Sequence, residues 1–483
     1  FVFGLFLQSV FRPPWQFSLP TSQICKTSTG CVAEMTTTLV YGLAIAGRAV
    51  ASELVARGEH VVLADDVSNE DNSEFAKTLN SKVSVKPSEK DLELILQQVD
   101  RVVPAPGIAE SHMLFQTSMR MNKPVMSEIE LAYRFEQMKS KPRPMLGITG
   151  TDGKTTTTLM AAAMLNAANC KTAAVGNTET PLIAALGSDA QAFAVECSSF
   201  RLTFTQTFRT QASVWLNLAP DHLDWHSSID SYRAAKAKIW QSLVDTDVAV
   251  VPESDPSIAK IARSSKGRIV SFGTSSGDYH ATNGVLTSPS GEILNVQEMA
   301  RSLPHDVTNA LAAAALAIES GLATRSHVAE ALKNFVHAPH RIELVADFAD
   351  VRWYNDSKAT SPHASSVALN SFKSIVLIAG GKNKDLDLSV MASFPSHMKA
   401  VVAIGKSAKE IASAFSGVCE VRTASSMREA VEFADQLAGS GDVVLLSPGC
   451  TSYDWYKNYG ERGEDFKKEV SALINQKSKA KQK

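Results

Sequence analysis

The stretch GITGTDGKTTTT, residues 147 to 158, limits what this chain can fold into more than any other. An apolar run, MLGIT, leads into a glycine turn and then into KTTTTLMAAAML, a helical pattern. That order is a strand, a phosphate-binding loop and a helix. Backbone amides from Gly150 to Gly153 can wrap phosphate oxygens, Lys154 can reach the terminal phosphates, and Thr155 can hold Mg²⁺ where the helix starts. The positive end of the helix points to the same place. The spacing departs from the strict G-x-x-x-x-G-K-T form, because Ile148 stands where the first glycine belongs. The loop specifies ATP or GTP and nothing finer.

A strand feeding a helix this way belongs to a parallel sheet, and the rest of the chain has the same rhythm. TTLVYG, HVVLADD and RVVPAPGI read as strands separated by the helical stretches RAVASELVARG and LELILQQV. MKSKPRP, Met138 to Pro144, interrupts with prolines and basic residues and reads as a linker. The second unit contains the phosphate loop and the buried-strand patterns AFAVEC, ASVWLNL and DVAVVP. Near FVHAPHRIELV the pattern restarts with VRWYNDS, SIVLIAGG, AVVAIG and DVVLLSPG, each ending in polar or glycine residues at the carboxyl end of a strand, where ligands of such sheets bind. The expected fold is α/β in three domains: a Rossmann-like parallel sheet over residues 35–141, a central P-loop ATPase sheet over 142–338 and a Rossmann-like sheet over 339–483. Residues 1–34, ahead of the first methionine, read as an extension outside the fold and disordered, and the tail NQKSKAKQK as a frayed, solvated end.

The 483 residues fit about three cores of roughly 150 residues each. Net charge is −2, with no basic excess to draw the chain onto nucleic acid. The six cysteines form no C-x-x-C pair, which disfavours a zinc site or disulfide framework and fits a reducing cytoplasm. No apolar run approaches the ~20 residues of a spanning helix, so no membrane insertion is expected.

Other segments carry weaker signals. In YGLAIAGRAV, Gly42 and Gly47 occupy the first and last positions of a dinucleotide fingerprint, but Ala44 fills the middle one and obstructs a pyrophosphate. Asp65 follows at the end of the second strand, placed for ribose hydroxyls; a uridine nucleotide or a purely structural turn both remain compatible. In VECSSFRL, Glu196 ends a strand and either caps the next helix or binds Mg²⁺. NLAPDHLDWH gathers Asn217, Asp221, His222, Asp224 and His226, a polar cluster suited to the side of a metal. Lys236, in the helical SYRAAKAKIW, has no special status from composition.

Together with LPHDVTNALAAAALA, PHRIELV, NDSKAT, GGKNKDLD and LLSPGCTSYDWYKNYGERGEDF, these segments resemble the Mur ligase family in order and from Met35 onward. NDSKAT followed by SPGCTSYD resembles its D-glutamate-adding branch. The resemblance implies an ATP-dependent ligase of peptidoglycan precursor synthesis that forms an amide through an acyl phosphate, using UDP-N-acetylmuramoyl-L-alanine, D-glutamate, ATP and two Mg²⁺ ions. It assigns Gly150, Thr151, Asp152, Gly153, Lys154, Thr155, Thr156, Asn309, Arg341 and Asp356 to ATP. Lys154, Glu196, His222 and Lys236 would be catalytic, with metal held by Thr155, Glu196, His222 and a carbamylated Lys236. Ala46, Asp65, Gly107 and Asn177 would meet the uridine substrate, and Lys358, Thr360, Lys384, Ser452 and Tyr459 the D-glutamate. A cytoplasmic monomer is the implied form.

The chain departs from the family pattern at Asp152 and Asp306, where asparagine is usual, at Ala44 and Ala105, and at Tyr459, where phenylalanine is frequent. Three other functions compete: a ligase of the superfamily adding another amino acid, which should lack the NDSKAT and KNK lysines; an NAD-dependent oxidoreductase, which Ala44 opposes; and a silent nucleotide-binding regulator, which the presence of Lys154, Glu196, His222 and Lys236 opposes.

Overall fold

The structure, a computed structural model, describes residues 36–223 and 225–481. The proposed extension over 1–34, with Cys25 and Cys31, lies outside the described residues, as does Asp224. The four other cysteines are free thiols, as their spacing led us to expect.

Alternating strands and helices build parallel sheets, as the rhythm of the chain predicts. The first sheet comprises β1 (Thr37–Tyr41), β2 (His60–Asp65), β3 (Val83–Val85) and β4 (Arg101–Pro104), in the order β3-β2-β1-β4. Its strands are parallel, with Val40 opposite Leu63 on one side and Val103 on the other.

The central sheet contains β5 (Met145–Thr149), β6 (Thr172–Gly176), β7 (Ala192–Glu196), β8 (Ala212–Trp215), β9 (Val248–Pro252) and β10 (Arg268–Phe272). All are parallel, in the order β10-β9-β8-β5-β7-β6. The chain builds to one side of β5 and then crosses to the other. This reversal opens a crevice at the carboxyl end of β5, where the phosphate loop lies between Glu196 at the end of β7 and Asn217 just after β8. The antiparallel meander of β11 (His280–Thr282), β12 (Val285–Ser288) and β13 (Gly291–Asn295) had no signal strong enough to be read from sequence.

The last sheet has β14 (Glu343–Phe348), β15 (Val351–Asn355), β16 (Ile375–Gly380), β17 (Met398–Ile404), β18 (Glu420–Thr423) and β19 (Val443–Leu446). Their order is β14-β15-β19-β16-β17-β18, with only β14 antiparallel to its neighbour. Ile375 to Ala379 are fully buried, as a strand covered on both faces requires.

Packing distinguishes these units. One apolar cluster joins Val40, Val50 and Leu54 of the first unit to Phe193, Val195, Trp215 and Trp240 of the central unit. The opposite face of the central sheet is covered by the phosphate-loop helix, Lys154–Ala167, and by the alanine-rich helix Pro304–Glu319, whose Ala310 to Ala317 are buried. The last sheet fills two clusters with its own side chains, apart from Leu303 at the edge of one. The first and central units therefore share a core, whereas the last has its own.

The MKSKPRP segment is tied down rather than loose. Arg143 donates to both oxygens of Glu136, at 2.8 and 2.7 Å, and its Nη2 donates to the Leu186 carbonyl. Burial opposes the charge, yet Arg143 and Lys139 hold the Glu136 carboxyl down at about 2. The tail also differs from expectation. The helix Tyr459–Lys481 continues through it, because residues 475–481 include no glycine or proline to stop propagation and Lys477 pairs with Asp435. Among the described residues, no helix is long and apolar enough to cross a membrane.

Candidate active site

The phosphate loop is braced before any ligand enters. Gly150 and Gly153 have φ of 155° and 81°, and a Cβ on Gly153 would lie 2.5 Å from the Asn309 side-chain oxygen. Glycine at 153 is thus required twice, by conformation and by close approach. Asn217 reaches across from the end of β8, and its Oδ1 accepts from the amides of Thr151 and Asp152 at 3.0 and 2.9 Å. The Thr151 hydroxyl lies between the Ala219 carbonyl and the Tyr232 hydroxyl. Asn217 entered the sequence reading only as part of a polar cluster, and its bracing of the loop carries no motif.

Two lysines converge on one carbonyl. Lys154 Nζ donates to the Gly150 oxygen at 2.8 Å and to that of Thr151, while Lys236 Nζ donates to Gly150 at 2.7 Å. Lys236 is 1% exposed, although most helical lysines are solvated. Burial, followed by the charge of Lys154, lowers its amine well below the ordinary lysine value. The buried position is supplied by the packing of the helix Ile229–Ala237 against the loop, which the alanines around Lys236 permit.

Glu196 does not cap the next helix; Ser198 does. Glu196 is 2% exposed, its Oε1 accepts from Asn177 Nδ2 at 3.2 Å, and its Oε2 is buried with no hydrogen-bond partner. Asn177 in turn accepts from Arg201 Nη1 at 2.6 Å, and Arg201 Nε pairs with Glu128 at 3.2 Å. Asn177, assigned by resemblance to the muramoyl substrate, thus also sets the pose of Glu196. His222 adopts φ of 55° and pairs with Asp221 at 3.3 Å. Burial lowers its pKa, opposed by Asp221 and reinforced by Lys154, Lys236 and Lys384, which favours the neutral ring that can ligate a metal. His226 faces elsewhere, with Nε2 2.9 Å from the Ser199 hydroxyl.

The last unit closes this site. Arg341 Nη2 donates to Thr155 Oγ1 at 2.8 Å. Asp152, Gly153, Thr156, Asn309, Arg341, Asp356 and Lys358 line one cavity of about 200 Å³, so seven residues assigned from sequence meet in space. Asp356 is buried beneath it, accepting from Ser447 at 2.8 Å and from the Ile342 amide. Burial pushes its carboxyl up to about 7, against Ser447 and Arg341. Asp306, the first departure to acquire a physical reason, is fully buried in a two-bond pair with Arg301 at 2.6 and 2.7 Å. Arg301 also donates to the carbonyls of Arg341 and Ile342, which asparagine at 306 could not support with a full charge. Asp152 lies 2.5 Å from His363 Nδ1.

Lys358 Nζ lies over the Tyr459 ring at 5.0 Å. Thr360 is half-buried nearby in sequence, Lys384 is exposed, and Ser452 is buried. A bridge between Lys382 and Thr451 brings the loops of Lys384 and Ser452 together. In the first unit, Gly47 is required for packing, since a Cβ there would lie 1.8 Å from the Gly42 oxygen, and Ala46 is buried beside it. Gly107 is open. Asp65 has partners within its own unit. Its oxygens accept from the amides of Leu43 and Val67, at 2.6 and 2.8 Å, which ties the turn together, the structural reading that the sequence left open beside the ribose one. Neighbouring Asp66, not singled out from sequence, accepts from Tyr41 and pairs with His112 while remaining partly exposed.

Comparison with known proteins agrees with this geometry. The Mur ligase middle domain matches residues 148–317, and the Mur ligase glutamate ligase domain matches 340–450. A UDP-N-acetylmuramoylalanine–D-glutamate ligase of Frankia casuarinae is 35% identical over 450 residues, covering 90% of this chain and 93% of that protein. The enzyme of the same name from Bacillus velezensis is 34% identical over 438 residues, covering 89% and 96%. In fold, the UDP-N-acetylmuramate-alanine ligase of Thermotoga maritima superposes with a TM-score of 0.57 at 19% identity, covering 91% of this chain and all (100%) of that one.

Proposed function

The chain belongs to the Mur ligase family, and from that premise we infer that it is the ATP-dependent ligase that joins D-glutamate to UDP-N-acetylmuramoyl-L-alanine in peptidoglycan precursor synthesis. The observation that carries this reading is the single cavity in which the phosphate loop meets Asn309 of the central unit and Arg341, Asp356 and Lys358 of the last. That cavity puts the phosphate loop directly beside side chains of the last unit.

A carboxylate does not form an amide in water because oxide is a poor leaving group. In the proposed reaction the γ-phosphoryl group of ATP passes to an oxygen of the L-alanyl carboxylate, giving an acyl phosphate and releasing ADP as its bond to the bridging oxygen breaks. The loop amides and Lys154 take up the charge as it moves. The D-glutamate amine then attacks the acyl carbon, and the tetrahedral intermediate expels inorganic phosphate. Lys358 and Lys384 are suited to the two carboxylates of D-glutamate, with Ser452 as a hydrogen-bond donor.

The residues fit Mg²⁺. Glu196 Oε2 is an orphaned buried carboxylate oxygen, and burial favours the neutral form of His222. No group of three His, Cys, Asp or Glu side chains able to hold a metal occurs among the described residues, so the encoded donors need a further anion. Lys236 can supply it: its unprotonated amine can add to CO₂, releasing a proton and leaving an anionic carbamate. Bound Mg²⁺ would neutralise phosphate charge, with Thr155, Glu196, His222 and the modified Lys236 holding it. The units would be divided at 35–141, 142–338 and 339–483, in a cytoplasmic monomer.

The test is phosphate release from ATP with UDP-N-acetylmuramoyl-L-alanine and one amino acid at a time. Release with D-glutamate alone supports the reading. Release with L-glutamate, L-lysine or meso-diaminopimelate would move the chain to another substrate, and no release with any would leave only nucleotide binding.

A further inference from the structure

Asp152 puts a carboxylate into a loop whose purpose is to hold phosphate. Its amide is committed to Asn217, and its side chain reaches the last unit, where Oδ2 meets His363 Nδ1 at 2.5 Å. His363 stands in the first turn of the helix Pro362–Leu369, capped by Ser361. A helix start favours anions, so an imidazolium there is disfavoured unless an acidic partner compensates it. Asp152 is that partner. The pair sits between two cavities: Asp152 lines the one of about 200 Å³ shared with Arg341 and Lys358, and His363 the neighbouring one of about 260 Å³.

Unneutralised, the carboxylate would repel a polyphosphate bound on the same loop. Lys154 and Arg341 also face Asp152, but on the reading of this cavity as an ATP site both are needed for the phosphates, and His363 is the cation in direct contact with the carboxylate. We propose that His363 is a nucleotide-site residue contributed by the last unit, the counter-ion that allows Asp152 to occupy the loop, so that nucleotide affinity depends on docking of that unit through this pair. The proposal rests on the reading of this cavity as an ATP site and adds a residue to it that no motif marked.

The test is a double-mutant cycle on the full chain, titrating a fluorescent non-hydrolysable ATP analogue with Mg²⁺ and checking each variant by thermal unfolding. His363→Gln should weaken binding by about fivefold or more, and His363→Lys, which keeps a positive charge, should recover most of the loss. Asp152→Asn should bind as tightly as the native chain or more so. In that background His363→Gln should change affinity by less than about twofold. Unchanged affinity in His363→Gln would overturn the proposal, as would a loss that persists when Asp152→Asn is also present, or weaker binding by Asp152→Asn alone. Absence of binding by the native chain would instead overturn the ATP reading and the inference with it.

Discussion

At the scale of single residues, the chemistry depends on groups whose charge is set by burial. Lys236 is the clearest case, an amine beside the phosphate loop whose charged form burial and Lys154 disfavour. Lys236→Ala and Lys236→Arg should each lower D-glutamate-dependent turnover by about 10² or more, with the thermal midpoint nearly unchanged in the alanine variant. Steady-state kinetics beside calorimetry would check this, and near-native turnover in either variant would remove Lys236 from the machinery. Asp356 offers a pH test. Its folded-state value of about 7 lies above that of an unfolded aspartate, so the folded chain holds a proton that the unfolded chain releases earlier. Its stabilising share is therefore present at acidic pH and lost as pH rises through about 7. Unfolding of the ligand-free protein between about pH 4 and 7 should show a decline of at most a few kcal/mol, and Asp356→Asn should flatten that component. A slope identical in the variant would argue against it. None of this was legible in sequence, where Lys236 is one lysine among small residues and only the resemblance marked it. The conformation of the loop from Gly150 to Thr155 was legible, because it follows from backbone geometry that local sequence encodes.

At the scale of elements, the sites are strand ends and helix starts held by side chains from elsewhere. Gly153→Ala should cost about 1–3 kcal/mol and abolish nucleotide binding, since the residue is left-handed and abuts Asn309. Denaturant unfolding with nucleotide titration measures both. Arg201 makes a subtler element-level link, from Glu128 in the helix Glu128–Gln137 to Asn177 and so to Glu196. If Glu196 holds Mg²⁺ as proposed, Arg201→Met should raise the Mg²⁺ concentration needed for half-maximal turnover by about tenfold or more, as loss of a partner behind a metal ligand does. An unchanged requirement would limit Arg201 to packing. The strands and the helices between them were readable because period-two and period-3.6 patterns are local. The β11–β13 meander was not, since its strands are three to five residues long and its pairing depends on neighbours. The persistence of the last helix through its basic tail was missed for the opposite reason: composition suggested solvation, and solvated residues remain helical when nothing interrupts them.

At the scale of the whole molecule, the shared core joins the first and central units, while Arg301, Arg341 and His363 link the last to them through polar contacts. Calorimetry of the ligand-free protein should therefore resolve two transitions, one for the fused pair and one for the last unit, drawn together by ATP with UDP-N-acetylmuramoyl-L-alanine. A single transition, unchanged by ligands, would show that the last unit is no more separable than the other two. The sequence by itself determined the three α/β units, the strand-loop-helix of the phosphate loop and the family, because periodicity, turn chemistry and motif order are properties of short segments. Only the tertiary structure decided that Asp65 locks a turn, that Lys236 and Lys154 share a carbonyl, and that Asp152 and Asp306 have cationic partners. Those outcomes depend on burial and on groups brought together from distant positions, which no local pattern records.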